Sequence, residues 1–302
     1  MICRGFSAKE ELVSRGDFRT SLLLLALLGA MLRFNLNAQL ATASLRPSAK
    51  EYALVFDDEF ATLDLSPDGS GIHSWYEGLW FHSHHAPISN IHVDSSILHL
   101  DWTRDMASQD ASITTLSPDA QTVRAWRYGY FEARMRWTPV QGAWPAFWLI
   151  PVQDAKGSDF YGGVKESGEI DVFEGQGKHP DTFYGTIHDW INNRDSANRN
   201  NCFVLPGTVK FSDFHVYGLM WTPGKVIWYF DNVPLHSEAT PPIFDRQDFF
   251  IVLSMQEGVD WKYGNLSEVS AKKLTLDVDW VRVWQKKKSP LSRHIAVTHS
   301  HQ

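Results

Sequence analysis

From Glu51 to Gln285 the chain is a succession of short runs rich in Val, Ile, Phe, Tyr and Trp, each cut off by a cluster of Gly, Pro, Asn or Asp. Such residues suit a pleated, half-buried surface, and such punctuation ends strands in turns. The clearest run, YGYFEARMRW at residues 128–137, alternates strictly. It sets Phe131, Ala133, Met135 and Trp137 on one face and Tyr130, Glu132, Arg134 and Arg136 on the other. The first face is expected to pack and the second to be wet. Strands are also predicted over residues 97–102, 214–221, 226–230, 249–254 and 276–284, with Asp231-Asn232 as a hairpin turn. No long amphipathic helix pattern interrupts them and no larger unit repeats, which favours an all-β antiparallel sandwich over an alternating α/β fold.

Composition agrees with a packed globule: 43% of the 302 residues are hydrophobic and 21% charged, which excludes a disordered or collagen-like chain. Acidic residues (35) outnumber basic ones (28), so the net charge of −7 supplies no footprint for phosphate backbones, and no nucleic-acid partner is expected. The 13 tryptophans exceed what a core alone usually asks for, and suggest flat rings lining a groove.

The ends read differently from the middle. Residues 21–32 (SLLLLALLGAML) are too short to span a bilayer but suit the apolar centre of an export signal. Residues 1–38 are therefore expected to be a signal peptide, cut after residue 38 or 43, with an uncleaved anchor or a buried helix as the alternative. The domain then runs over residues 51–286, and the basic residues 287–302 form a disordered tail. A secreted or periplasmic monomer with no stable membrane association follows from that reading. Cys3 would leave with the leader, so Cys202 is expected to be a buried thiol without an intramolecular partner.

Chemistry concentrates at GEIDVFE, residues 168–174, where Glu169, Asp171 and Glu174 crowd into an otherwise apolar strand. Glu169 and Asp171 share a face, whereas Glu174 would point the opposite way in a regular strand. One extra residue corrects the parity, so a β-bulge at Val172-Phe173 is predicted, a device that re-aims side chains beside active sites. Cleaving a glycosidic bond with retention needs one carboxylate to attack the anomeric carbon and a second, protonated, to donate to the leaving oxygen, about 5–5.5 Å apart. Two glutamates fit those roles, and the intervening Asp171 can hold a proton between them and raise a neighbour's pKa. An acidic edge strand or a cation site is the competing reading. GAWPAFWLIP at residues 142–151 places Trp144 and Trp148 on one face, either as a platform for sugar rings or as a pair of core tryptophans.

These segments together resemble glycoside hydrolase family 16, whose bulged branch carries E-x-D-x-x-E, matched by Glu169, Asp171 and Glu174. LVFDDEF (54–60), SITTLS (112–117), the 128–137 and 142–151 runs, FHVYGLMWTPGKVIWYFDNVP (214–234) and LDVDWVRVWQ (276–285) are similar to its strands in the same order. The resemblance covers roughly residues 52–285. It implies a curved, concanavalin A-like jelly roll with an open substrate cleft, Glu169 as nucleophile, Glu174 as acid/base and Asp171 as helper. His188 occupies a place where many members carry a His near the acid/base; a satisfied core His is the bland alternative. Trp190 is a candidate to stack on a sugar, and Arg134 to reach substrate or to pair with Glu132. The expected activity is endo-cleavage of a β-1,3- or mixed β-1,3/1,4-glucan, as in laminarinase and lichenase members. Agar- or carrageenan-type galactans, transglycosylation and an inactive carbohydrate-binding sandwich are the rivals. Residues 75–87 and Ser254-Met255-Gln256 depart from the usual laminarinase pattern, which bears on the choice of sugar.

No cofactor is implied. GQG at residues 175–177 lacks the third glycine and the helix of a dinucleotide site. HSHH at residues 82–85 lacks the spacing of a metal centre, so no metal is expected. Asn265-Leu266-Ser267 forms a glycosylation triplet.

Overall fold

A computed structural model describes residues 4–5, 47–79, 81, 84–156, 166–192, 194–195, 199–259, 261–262, 267–269 and 271–287. The glycosylation triplet, His82 and the expected apolar leader centre lie wholly or partly outside these residues.

Two sheets stack face to face. The first, of ten strands, runs in the spatial order β1 (Arg4–Gly5), β13 (Arg199–Val204), β11 (Thr182–Ile191), β10 (Glu166–Gly175), β9 (Ala143–Pro151), β17 (Phe249–Glu257), β6 (Asp110–Thr114) and β3 (Tyr76–Glu77). β12 (Arg194–Asp195) adds to β11, and β7 (Ala125–Trp126) to β17. The second, of eight, runs β16 (Val233–Ala239), β15 (Lys225–Phe230), β14 (His215–Trp221), β8 (Gly129–Trp137), β18 (Lys273–Lys286), β5 (Ile97–Thr103) and β4 (Ile91–Asp94), with β2 (Tyr52–Asp58) on β18. Apart from β1 against β13, the pairings between these strands are antiparallel. Among the described residues no helix is long and apolar enough to cross a membrane.

The alternation read from β8 holds on its inner side: Phe131, Ala133, Met135 and Trp137 are buried between the sheets. Its outer side is drier than expected. Tyr130 and Glu132 are fully buried, because Tyr130 packs with Met220 and Tyr229 and the Trp284 indole donates to Glu132 Oε1 at 3.0 Å. The turn between β15 and β16 puts both Asp231 and Asn232 at positive φ, 47° and 65°, as a two-residue hairpin requires. The tryptophan surplus serves the interior more than any groove: Trp75, Trp102, Trp137, Trp221 and Trp228 rank among the largest fully buried side chains. Cys202 also departs from expectation, since it is disulfide-bonded; the sequence's other cysteine, Cys3, lies outside the described residues.

Candidate active site

β10 is the strand on which the site is built. Its register against β11 shifts between Asp171 and Glu174, and against β9 between Asp171 and Phe173, so the bulge sits where side-chain parity required it. Val172 and Phe173, adjacent in sequence, both enter the core between the sheets. With two successive residues turned inward, Glu169, Asp171 and Glu174 all remain on the opposite, outer face of the ten-stranded sheet. A bulge frees backbone groups from the ladder, and one of them is satisfied from the far sheet: Trp228 Nε1 on β15 donates to the Asp171 carbonyl at 2.8 Å. Gly185 on β11 makes room for that indole, since a Cβ there would stand 2.4 Å from Trp228 Nε1.

Each outer glutamate accepts one indole N–H. Trp190 Nε1 donates to Glu169 Oε2 at 3.1 Å and Trp144 Nε1 donates to Glu174 Oε1 at 3.0 Å. Glu169 is 9% exposed and Glu174 partly exposed, so both are reachable but poorly hydrated. Burial, and after it the charge of Asp171, push the Glu169 carboxyl up to about 8; the same two causes in the same order hold Glu174 well above the ordinary carboxylate range. The nearby His188 and the indole N–H groups act in the opposite sense. Three carboxylates this close cannot all ionise in so dry a setting, and a proton stays on the group.

His188 lies across the ladder from Glu169. Its Nε2 is 3.2 Å from Asp171 Oδ2, its Nδ1 is 2.7 Å from Asp195 Oδ2, and its ring stacks on Trp190 at a centroid distance of 5.1 Å. Burial opposes charge on this imidazole, yet the carboxylates of Glu169, Asp171 and Asp195 outweigh it and push its pKa up to about 12. Ligand atoms of Glu169, Asp171 and His188 fall within 4.8 Å of one another, a spacing that would suit a cation. Both ring nitrogens of His188 already face carboxylate oxygens, Nδ1 at 2.7 Å and Nε2 at 3.2 Å, an arrangement that a network of shared protons satisfies without an ion.

The two tryptophans of β9 separate in role. Trp144 is half-buried, with its ring 5.5 Å from Trp261. Trp148 is only 4% exposed, packed with Leu79, Ala146, Ile150, Phe250 and Val252, and its Nε1 donates to Ser254 Oγ at 3.3 Å. It forms floor rather than platform. Arg134 does not belong to the site. β8 lies in the other sheet, where Arg134 pairs with Asp279 and lies 4.7 Å over the Phe214 ring, and not with Glu132. Alternation assigns a residue to a face of its strand but not the strand to a sheet. Sequence reasoning also missed Asp195, Trp261 and the buried Asp154, whose acid lies beside Ser167 at the start of β10. Trp261 could have been suspected as an aromatic in a polar loop; nothing local marks the other two.

Comparison with known proteins bears on the whole of this architecture. Residues 81–281 match the family described as glycosyl hydrolases family 16. A β-glucanase of Rhodothermus marinus is 28% identical over 253 residues, covering 78% of this chain and 86% of that protein. A glucan endo-1,3-β-glucosidase of Cryptopygus antarcticus is 31% identical over 203 residues, 61% of this chain and 71% of its own length. The crystal structure of the laminarinase from Rhodothermus marinus superposes with a TM-score of 0.60 at 25% identity, covering 78% of this chain and 98% of that one. A bulged strand presenting Glu169, Asp171 and Glu174 on one sheet face is thus set within a chain that belongs to glycosyl hydrolase family 16, and the protein is a glycoside hydrolase.

Proposed function

We propose that the protein is a secreted or periplasmic monomeric endo-glycosidase that cleaves internal linkages of a β-1,3- or mixed β-1,3/1,4-glucan with retention of configuration. The observation that carries the reading is the bulge at Val172-Phe173, which turns Glu174 onto the face shared by Glu169 and Asp171. Relatives named as β-glucanase and glucan endo-1,3-β-glucosidase support the choice of substrate. In the first step the Glu169 carboxylate attacks the anomeric carbon while the glycosidic C–O bond breaks and Glu174 gives its proton to the departing oxygen. In the second, the Glu174 carboxylate takes a proton from water, the hydroxide attacks the same carbon, and Glu169 leaves as a carboxylate. Asp171, flanked by both glutamates and by His188, shares protons with them, and attack proceeds from the arrangement in which Glu169 is ionised and Glu174 holds the proton. Trp144 and Trp190 anchor the two carboxylates and offer ring surface to sugars on either side.

A galactan substrate is the second reading. Ser254 and Gln256 lie on the outer face of β17, hydrogen-bonded to each other at 2.8 Å and, through Ser254, to Trp148. Two of the residues that depart from the laminarinase pattern therefore lie on the sheet face of the acids, with Gln256 across the ladder from Trp144. Reducing-end release from laminarin, lichenan, agarose, carrageenan and porphyran separates the two readings. Glu169→Ala and Glu174→Ala should each lose at least about 10³-fold in kcat, judged by the scale of nucleophile and acid/base contributions. Azide should rescue Glu169→Ala by giving a glycosyl azide of inverted configuration. Near-native hydrolysis by either variant would refute the role assignment.

A further inference from the structure

His188 is held at both ring nitrogens by acids. Nδ1 meets Asp195 Oδ2 at 2.7 Å in an aligned hydrogen bond, whereas Nε2 meets Asp171 Oδ2 obliquely at 3.2 Å. A neutral imidazole carries one N–H, so one of these contacts would set a lone pair against a carboxylate oxygen. With Asp171 ionised, both contacts are attractive together only when the ring is the imidazolium. Asp195 arrives by a tight reversal: β12 folds back on β11, with Asp195 opposite Trp190 and Asn192 at φ +49° in the turn. That reversal sets Asp195 diagonally beside His188, on the side of the ring away from β10, and leaves its side chain only 12% exposed. The groups facing the imidazole are Glu169, Asp171 and Glu174 from β10 and Asp195 from β12.

We propose that Asp195 is a positioning residue for hydrolysis: it locks His188 in the doubly protonated form and so holds a fixed positive charge against Asp171 at the centre of the carboxylate trio. Three acids on one strand face repel one another, and the imidazolium offsets that repulsion from within the site. Without Asp195 the ring has one acidic partner instead of two, can discharge as the pH rises, and then ceases to offset the charge on Glu169 and Glu174. The nucleophile would hold its proton to higher pH, and the acid limb of the rate profile would follow.

The inference rests on the assignment of Glu169 and Glu174 given above, and its test has one arm independent of turnover. In the unaltered protein, NMR of the His188 ring should show both nitrogens protonated from pH 5 to 9, with no titration. In Asp195→Asn, of the same shape and without charge, the His188 ring should titrate inside that window. The same variant should lose roughly 10- to 100-fold in kcat with KM changed less than about threefold, and the acid limb of kcat/KM should move upward by at least about half a pH unit. Asp195→Glu should restore part of the loss, which a merely structural role would not predict. A His188 that titrates near its ordinary value in the unaltered protein overturns the proposal, as does an Asp195→Asn variant with an unmoved acid limb. If the ring behaves as described but Glu169→Ala still hydrolyses glycan, the network stands and the role assignment falls instead.

Discussion

The carboxyl of Glu169 costs the protein stability, and replacing it should show by how much. Burial and the neighbouring Asp171 push this group up to about 8 from an unfolded value of 4.5. Because the folded value is the higher one, the stabilisation that protonation allows is complete below pH 4.5 and is lost as the pH rises through about 8. At pH 7 the unfolded chain has released a proton that the folded chain still holds. The distance from 4.5 to 7, at about 1.4 kcal/mol per pH unit, sets a ceiling of roughly 3.5 kcal/mol. Asp171 and Glu174 share the same field, so removing one member of the group recovers about 1–2 kcal/mol of it. Glu169→Gln keeps the volume and an oxygen to accept the Trp190 N–H, and its amide can donate where a carboxylate repelled. Urea unfolding at pH 5 and pH 8 is the assay. The variant should gain little at pH 5 and about 1–2 kcal/mol at pH 8, equivalent to a rise in Tm of about 2–4 °C for each kcal/mol in a domain of this size. An equal gain at both pH values, or a variant less stable than the original at pH 8, would refute the claim that this acid is held in a dry, like-charged setting.

Two further substitutions probe the supports of the site. Trp228→Phe keeps the ring in the core but leaves the Asp171 carbonyl without its donor; it should lower stability by about 1–3 kcal/mol and reduce kcat more than KM, measured by urea titration and initial rates. Trp144→Phe removes the N–H that favours ionised Glu174, so the basic limb of the rate profile should move up by about half to one pH unit; a downward shift would contradict the contact.

Much of the fold was legible because side-chain period survives in strands. The predicted run at residues 97–102 lies within β5 (Ile97–Thr103), that at 226–230 within β15 (Lys225–Phe230), and that at 249–254 within β17 (Phe249–Glu257). Parity alone located the bulge in β10. What period does not carry is the identity of the neighbour. Arg134 alternates correctly to the outer side of β8, but only long-range pairing decides that β8 joins the sheet away from the acids. Glu132 reads as a wet residue until Trp284, far along the chain, covers it. Asp195 is close to His188 in sequence, yet its value depends on a turn whose residues give no apolar pattern. Trp148 shows the same limit from the other side, since an aromatic on the right face can still be sealed by its neighbours.

The indole of Trp228 crosses the sandwich to hold the backbone at the point where β10 departs from regular pairing. Catalytic geometry is in that sense imprinted from behind, by a layer that no saccharide touches. Substitutions in β15, or at Gly185 that accommodates the ring, should therefore alter turnover without altering sugar preference. Loops around the acids could diversify freely while this rear anchor stayed constant, so one scaffold could pass from glycan to glycan and keep its chemistry.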